Sequence, residues 1–230
     1  MNPESDASNG GVRERHVACP KCEHGFNVPV TVSLRPDEPA LQQLVSGRLN
    51  RVTCPECETE FLVNDPIVFR DDEKRFLVFF LPVEDTQNWR DAERQMTELA
   101  QSLFGADLPA VGAEFRLALT RRAFIEKIYL HAQDLDDRLV EYVKYQLQQR
   151  DGEKLDPIRK ELLYDFSNAD PNRLAFIVFD RESGRAAAGA YIPMDVYREL
   201  AETFFEPESQ LQRELKQLFP GYYVSVDRLQ

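Results

Sequence analysis

The sequence predicts an α+β protein in which a small N-terminal β unit is followed by mixed antiparallel strands and helices. Three observations predict this fold class. Two copies of a Cys-Pro-x-Cys unit lie in the first quarter of the chain. Several short runs alternate between apolar and polar residues, as strands do. Longer runs repeat apolar residues every three or four positions, as amphipathic helices do.

Composition and charge limit the class of protein. The chain has 230 residues, of which 43% are apolar, and its formal net charge is −12. This is enough apolar material for a packed core. No stretch reaches the roughly eighteen apolar residues of a membrane span. Residues 1–15 are mostly polar, lack an apolar signal segment and are expected to be a disordered leader. We therefore expect a cytoplasmic protein without a membrane partner.

All four cysteines belong to one repeated motif, Cys19-Pro20-Lys21-Cys22 and Cys54-Pro55-Glu56-Cys57. Two intervening residues let each turn aim both sulfurs at one ion, and the proline stiffens the turn. Four thiolates give the closed tetrahedral cage that zinc prefers in structural sites. The motif predicts a zinc-ribbon-like domain over residues 16–83 in which Zn²⁺ is bound by Cys19, Cys22, Cys54 and Cys57.

Other uses of the cysteines are less favoured. A redox dithiol normally begins a helix, whereas the alternation from Phe26 to Val32 predicts a strand after Cys22. Iron–sulfur binding is the other alternative. A catalytic zinc keeps one coordination position open for water, and four cysteines would fill it.

Two glutamates and two histidines lie beside the motifs. Glu23 and Glu58 stand where such turns often need φ above zero, a conformation that costs a non-glycine residue about 1 kcal/mol. His16 and His24 flank the first motif. Because four thiols already complete the ligand set, we expect neither histidine to bind the metal.

Within residues 16–83 the pattern also predicts the secondary structure. We expect a strand over 25–34, a helix after Pro39, a strand over 60–63, and a hairpin formed by 67–69 and 76–81. The helix carries one apolar stripe, formed by Leu41, Leu44, Val45 and Leu49.

Together these features resemble the CpXC domain family. The resemblance rests on the paired motifs, a Ser-Gly-Arg-Leu-Asn helix end and a Phe-Arg-Asp-Asp-Glu-Lys-Arg-Phe hairpin. It extends from about Val17 to Tyr145 through Glu126-Lys127-Ile128 and Asp136-Asp137-Arg138. The family is known mainly from bacteria and archaea and has no assigned activity. The resemblance therefore implies a bacterial protein with the four cysteines as site residues, and no reaction. The family's turns commonly end in glycine, where this chain has glutamate.

Residues 84–150 are expected to complete the CpXC-like part with helices and one strand. A helix is predicted from the acidic pair at 84–85 to a stop at Gly105, with Trp89 and Met96 on its apolar face. Residues 115–119 alternate as a strand does. Thr120 is suited to cap the next helix, and Asp134 to start another.

One further segment could carry chemistry, because His131 is followed by several charged residues: Asp134, Asp136, Asp137, Arg138 and Glu141. Carboxylates beside a histidine can bind a divalent cation or act as acid and base. Acidic residues at a helix start also favour the helix dipole, and Asp134 with Arg138 would form an i,i+4 ion pair. We favour the structural explanation.

The remaining residues, 151–230, are predicted to form a C-terminal α+β region after a polar linker at 148–156. The pattern predicts strands over 159–166, 174–180 and 186–192, helices over 194–205 and 208–219, and a closing strand over 222–226. Two aromatic pairs, Phe204-Phe205 and Tyr222-Tyr223, could form a partner surface. The commoner arrangement is one buried and one half-exposed ring.

The function favoured by these features is a cytoplasmic zinc-binding protein with a structural four-cysteine site that acts through contacts with another protein. The alternative is a nucleic-acid-binding ribbon that uses the local cations Arg13, Arg15, Lys21, Arg48 and Arg51. The overall acidity counts against it. A second alternative is an enzyme that uses the segment from His131 to Glu141. Common nucleotide-binding, hydrolase and metalloprotease motifs are not found, so catalysis is the least favoured.

Overall fold

A computed structural model describes residues 11–83, 88–104, 112–168 and 170–230. Its strands are β1 (Val12–Ala18), β2 (Gly25–Thr31), β3 (Ser33–Leu34), β4 (Arg51–Thr53), β5 (Glu60–Leu62), β6 (Ile67–Asp71), β7 (Phe76–Phe80), β8 (Glu114–Ala118), β9 (Lys160–Tyr164), β10 (Arg173–Asp180) and β11 (Ala186–Pro193). Its helices are α1 (Pro39–Val45), α2 (Trp89–Phe104), α3 (Arg121–Ala132), α4 (Asp137–Arg150), α5 (Met194–Phe205) and α6 (Gln210–Leu218).

The strands form four separate sheets. Two are antiparallel hairpins, β1-β2 and β4-β5. A third sheet has the order β3-β6-β7-β8, and a fourth, fully antiparallel, has the order β11-β10-β9. The predicted α+β class is confirmed. The β3-β6 and β7-β8 pairs are parallel, however, which the expected antiparallel arrangement did not include.

Local sequence signals explain several elements. Thr120 caps α3, since its hydroxyl accepts a hydrogen bond from the Ala123 amide at 3.1 Å, as predicted. The β6-β7 hairpin turns at Asp71, whose Oδ1 accepts the amides of Glu73 and Lys74 at 3.1 and 3.0 Å. Both strands of this hairpin bury apolar side chains between α1 and α3.

The C-terminal region and the preceding helices share one hydrophobic core. Leu139 and Val143 of α4 pack in the same cluster as Phe176 of β10 and Leu215 of α6. The predicted linker at 148–156 therefore does not separate independent cores, and its first three residues are the end of α4.

The centre of the molecule also contains buried charges. The ammonium of Lys144 lies 2.8 Å from carboxylate oxygens of both Glu126 and Glu141. Asp137 lies 2.7 Å from Lys127 Nζ and accepts two hydrogen bonds from Arg116 Nε. All six side chains are buried, and their formal charges cancel. The polar pattern of α3 and α4 gave no sign of this burial.

The segment from Tyr222 to Leu229 crosses this charged centre. The Leu117 amide of β8 donates to the Tyr222 carbonyl at 2.9 Å. Beyond that bond, side chains hold the backbone: Lys127 Nζ donates to the Val224 carbonyl at 2.6 Å, and Glu141 accepts the Val226 amide at 2.9 Å. The predicted closing strand over 222–226 is therefore wrong, and a short 3₁₀ helix, Val226–Leu229, follows. The apolar side chains of Tyr223, Val224 and Val226 are buried.

The boundaries of other predicted elements change as well. β1 begins at Val12, so residues 12–15 form strand and not leader. The predicted strand over 25–34 is two strands, because Val32 breaks it between β2 and β3. The strand expected over 159–166 is shorter and ends at Tyr164. The expected start of α2 at 84–85 and its stop at Gly105 lie outside the described residues.

The start of α4 also differs from its prediction. Asp134 is left-handed at φ 55°, and α4 begins at Asp137 with Asp136 as its cap. Arg138 therefore pairs with Asp136 instead of Asp134, while Asp134 pairs with Lys74. Within the described residues, no helix is long and apolar enough to cross a membrane.

Replacing Lys144 with alanine tests the buried charges. The change leaves Glu126 and Glu141 without their shared cation, so we expect the free energy of unfolding to fall by about 3–5 kcal/mol. Urea denaturation followed by circular dichroism measures it. Lys154 is exposed, and Lys154→Ala should change stability by less than about 0.5 kcal/mol. Equal small effects of both variants would show that the network contributes little.

Candidate metal centre

The two Cys-Pro-x-Cys turns form the tips of the two hairpins. In the first, the Cys19 amide donates to the His24 carbonyl at 2.9 Å, and in the second, the Cys54 amide donates to the Thr59 carbonyl at 2.9 Å. The Glu23 and Glu58 amides close the turns by donating to the carbonyls of Cys19 and Cys54. The repeated sequence thus produces a repeated backbone geometry.

The hairpins bring the four predicted cysteines together. Cys19 Sγ lies 3.6 Å from Cys57 Sγ, and Cys22 Sγ lies 3.6 Å from Cys54 Sγ, so each close pair joins the two hairpins. All four sulfurs lie within 4.8 Å of one another. Cys19 and Cys54 are buried, while Cys22 is exposed. Four thiols this close could hold one metal ion.

The electrostatics of the thiols favour a cation between them. The Thr59 hydroxyl, 3.3 Å from Cys57 Sγ, lowers the pKa of Cys57 to about 6. The backbone amide of His24 lowers the pKa of Cys22, but neighbouring thiols and burial outweigh it and raise that pKa to about 12. Thiolates this close repel one another, and a cation between them would stabilise their charged forms.

Both turns contain the expected left-handed glutamates. Glu23 has φ 60° and Glu58 has φ 57°. Glycine would adopt this conformation without the steric penalty that a Cβ atom brings. The backbone therefore keeps the geometry of a glycine-ended turn, and the glutamates bear the cost.

Asn50 joins the hairpins at their base, and sequence reasoning did not identify this role. Its Oδ1 accepts the Thr31 amide at 2.8 Å, and its Nδ2 donates to the Thr31 carbonyl at 2.9 Å. The Asn50 carbonyl accepts the Val63 amide. Asn50 is left-handed at φ 60°, a conformation that asparagine tolerates well. Its position just before a strand was the available signal.

The rest of the ribbon contributes little apolar packing. Its core consists of three buried valines, Val28, Val30 and Val63, with partly buried neighbours. Arg121 of α3 attaches the ribbon to the larger domain by donating to the carbonyls of Leu49 and Val63 at 3.4 and 3.3 Å.

The two histidines near the first turn make other contacts. His16 Nδ1 lies 2.9 Å from Asn27 Oδ1. The His24 ring stacks on Phe26 with a centroid separation of 6.0 Å. Neither belongs to the cluster of thiols.

The segment from His131 to Glu141 does not converge on one point. His131 lies against Asp71 and stacks on Phe76, while Asp137 and Glu141 face buried cations. Burial raises the pKa of Asp137, but Arg116 and Lys127 outweigh burial and hold that pKa well below its usual range. Among the described residues, the four cysteines are the only group of three or more histidine, cysteine or acidic side chains close enough to share an ion.

Comparison with known proteins gives one result for this chain. A family model described as CpXC protein matches residues 17–144. The match covers both cysteine motifs and the strands from β2 to β8, and it ends inside α4. No curated protein and no solved structure matches.

Replacing Glu58 with glycine tests the strain at the second turn. Glycine removes the steric cost of the left-handed conformation, and this gain outweighs the greater conformational entropy that glycine gives the unfolded chain. We therefore expect the metal-loaded protein to gain about 0.5 kcal/mol of stability. Denaturant titration of the ribbon, monitored by NMR, measures it. Glu56, exposed in the same turn, lacks a positive φ, and Glu56→Gly should lose about 0.5–1 kcal/mol. Equal losses of stability in both variants would show that the left-handed conformation of Glu58 is not strained.

Proposed function

The chain belongs to the CpXC family, and on that premise we propose that it is a cytoplasmic zinc-binding protein whose four-cysteine site is structural and whose other surfaces contact another protein. The observation that carries the proposal is the convergence of four thiols from two turns. The family assignment covers the whole of this site.

The sulfur spacing supports zinc as the ion. A tetrahedral ion with bonds of about 2.3 Å separates its sulfur ligands by about 3.8 Å. The two close pairs are at 3.6 Å. Thiolates suit zinc, and four of them leave no position for water, which supports a structural role. When bound, the ion would supply the charge that keeps all four thiols ionised.

The size of the ribbon supports the same role. Three buried valines provide far too little burial to fold two hairpins alone. Zinc binding to a site of this kind can contribute on the order of 10 kcal/mol to folding. Free thiols kept for a metal also suit a reducing compartment, which supports the cytoplasm.

Charge supports a protein partner over a nucleic acid. The net charge is −12, and three of the five cations expected to form a basic patch have local partners. Arg15 lies 2.6 Å from Asp65, Arg48 donates to Ser46, and Arg51 donates to the Gly47 carbonyl. Phosphate contacts would have to displace these partners.

Replacing Cys54 with serine tests the metal centre. Loss of a buried ligand should abolish stoichiometric zinc binding and unfold the two hairpins, because the valine core cannot hold them. Elemental analysis of the purified protein and amide hydrogen exchange of the ribbon measure both effects.

His16 provides the matched control for this experiment. His16→Ala leaves the thiols in place and should retain one zinc per chain. The proposal fails if Cys54→Ser keeps its zinc and melting temperature, or if the wild-type protein contains iron instead.

Purification of the tagged protein from its native host, with and without nuclease treatment, tests the partner. We expect a defined protein to copurify and to survive nuclease, as shown by mass spectrometry. Partners that disappear with nuclease would favour the nucleic-acid alternative.

A further inference from the structure

Strand β11 presents an open edge. It is the outer strand of the β11-β10-β9 sheet, and in the part of the chain that the structure describes, nothing pairs with its outer side. Its sequence, Ala-Ala-Ala-Gly-Ala-Tyr-Ile-Pro, contains no charged residue, and Tyr191 is 62% exposed.

Open edges of this kind are usually protected. Charged side chains, covering loops or bulges prevent another strand from pairing with the exposed backbone. The exposed strand β1 carries Arg13, Glu14 and Arg15. At the other edge of the β11 sheet, the Tyr164 amide of β9 donates to Glu126. β11 has a bulge near Ala187 and ends at Pro193, which has no amide hydrogen, so the backbone from Ala188 to Ile192 is free to pair.

The register of β10 and β11 identifies the groups that face outward. The Met194 amide donates to the Asn172 carbonyl, which marks a hydrogen-bonded pair. Such pairs alternate along an antiparallel ladder, so the backbone amides and carbonyls of Ile192 and Ala190 face β10. The amides and carbonyls of Gly189 and Tyr191 therefore point away from the sheet.

We propose that β11 pairs antiparallel with β11 of a second copy of the chain, joining two three-stranded sheets into one. About a two-fold axis, Gly189 of each copy lies opposite Tyr191 of the other. These two equivalent pairs can exchange all of their outward hydrogen bonds. The tyrosine ring also covers the glycine opposite, a favourable cross-strand combination.

Charge complementarity identifies a second copy as the partner. Arg185 directly precedes β11, and Asp195 follows it in the first turn of α5, so antiparallel pairing brings the basic end of one strand towards the acidic end of the other. Both side chains are exposed, and neither has an ion-pair partner within the described residues. The strand between them carries no charge that would oppose pairing with itself. A two-fold axis repeats this attraction at both ends of the interface.

The pairing does not involve the metal centre, so its failure and that of the zinc proposal are separate results. The first experiment is sedimentation equilibrium of the full, zinc-loaded chain over a range of concentrations. We expect a monomer–dimer equilibrium for the wild-type protein. A monomer at every concentration would overturn the proposal and leave the edge available to a strand of another protein.

Replacing Gly189 with proline removes the outward amide. Gly189 does not have a positive φ, and proline is tolerated where the amide of an edge strand points to solvent. Two symmetry-related hydrogen bonds are lost, so the dimer dissociation constant should rise about thirtyfold or more.

Gly189→Ala is the matched control, because it keeps the amide and its Cβ would meet the Phe176 carbonyl at an ordinary 3.8 Å. This variant keeps both outward hydrogen bonds, so its dimer dissociation constant should stay well below that of Gly189→Pro. If folded Gly189→Pro also dimerises unchanged, the interface lies elsewhere and the proposal is wrong.

Hydrogen exchange keeps the test independent of whether Gly189→Pro folds. In the wild-type protein, the amides of Gly189 and Tyr191 should exchange more slowly as concentration rises. Those of Ala190 and Ile192 should be slow at every concentration, because they are bonded to β10. Fast exchange of Gly189 and Tyr191 at all concentrations would overturn the proposal.

Discussion

The burial of six balanced charges is the constraint on which the arrangement of the larger domain depends. Desolvation of Lys144 or Asp137 alone would be prohibitive, so α3, α4 and β8 must sit where each charge finds its opposite. Burial raises the pKa of Glu126, whereas Arg116 and Lys127 outweigh burial to lower that of Asp137. The segments Glu126-Lys127 and Asp136-Asp137 that carry the family resemblance contribute directly to these contacts. These two segments of the family pattern, outside the cysteines, therefore have a structural role in the buried charge network.

Local signals were sufficient for much of the fold and for the four cysteines that the two hairpins bring together. The cysteine spacing, the β6-β7 hairpin and the Thr120 cap depend on residues close in sequence. Features set by distant residues could not be predicted in the same way. The parallel β7-β8 pair joins strands far apart in the chain. Tyr222 to Val226 resembles a strand, but after the Tyr222 carbonyl, which accepts the Leu117 amide, side chains bond its backbone. Lys144 and Glu126 have the polar character of surface residues, and only tertiary structure reveals their burial.

The family match ends in the middle of an element that belongs to the shared hydrophobic core. The match ends at residue 144, inside α4. Beyond that point, Phe176, Leu211 and Val224 cover the apolar side of the same helix. The C-terminal region therefore completes the interior of the family domain in this chain. A fragment that stops at the family boundary would expose the buried face of α4.

The path of residues 222–228 has a consequence for synthesis on the ribosome. Tyr223 binds Glu93 across 130 positions, and Val226 binds Glu141 across 85. The charged centre consequently stays open to water until this late segment emerges, and long-range closures of this kind are slow. The contacts within the ribbon join residues much closer in sequence, so the two hairpins can form first. The chain thus has a folding unit that can form early and an interior that closes late, and between these steps the apolar surface of the unfinished interior is exposed.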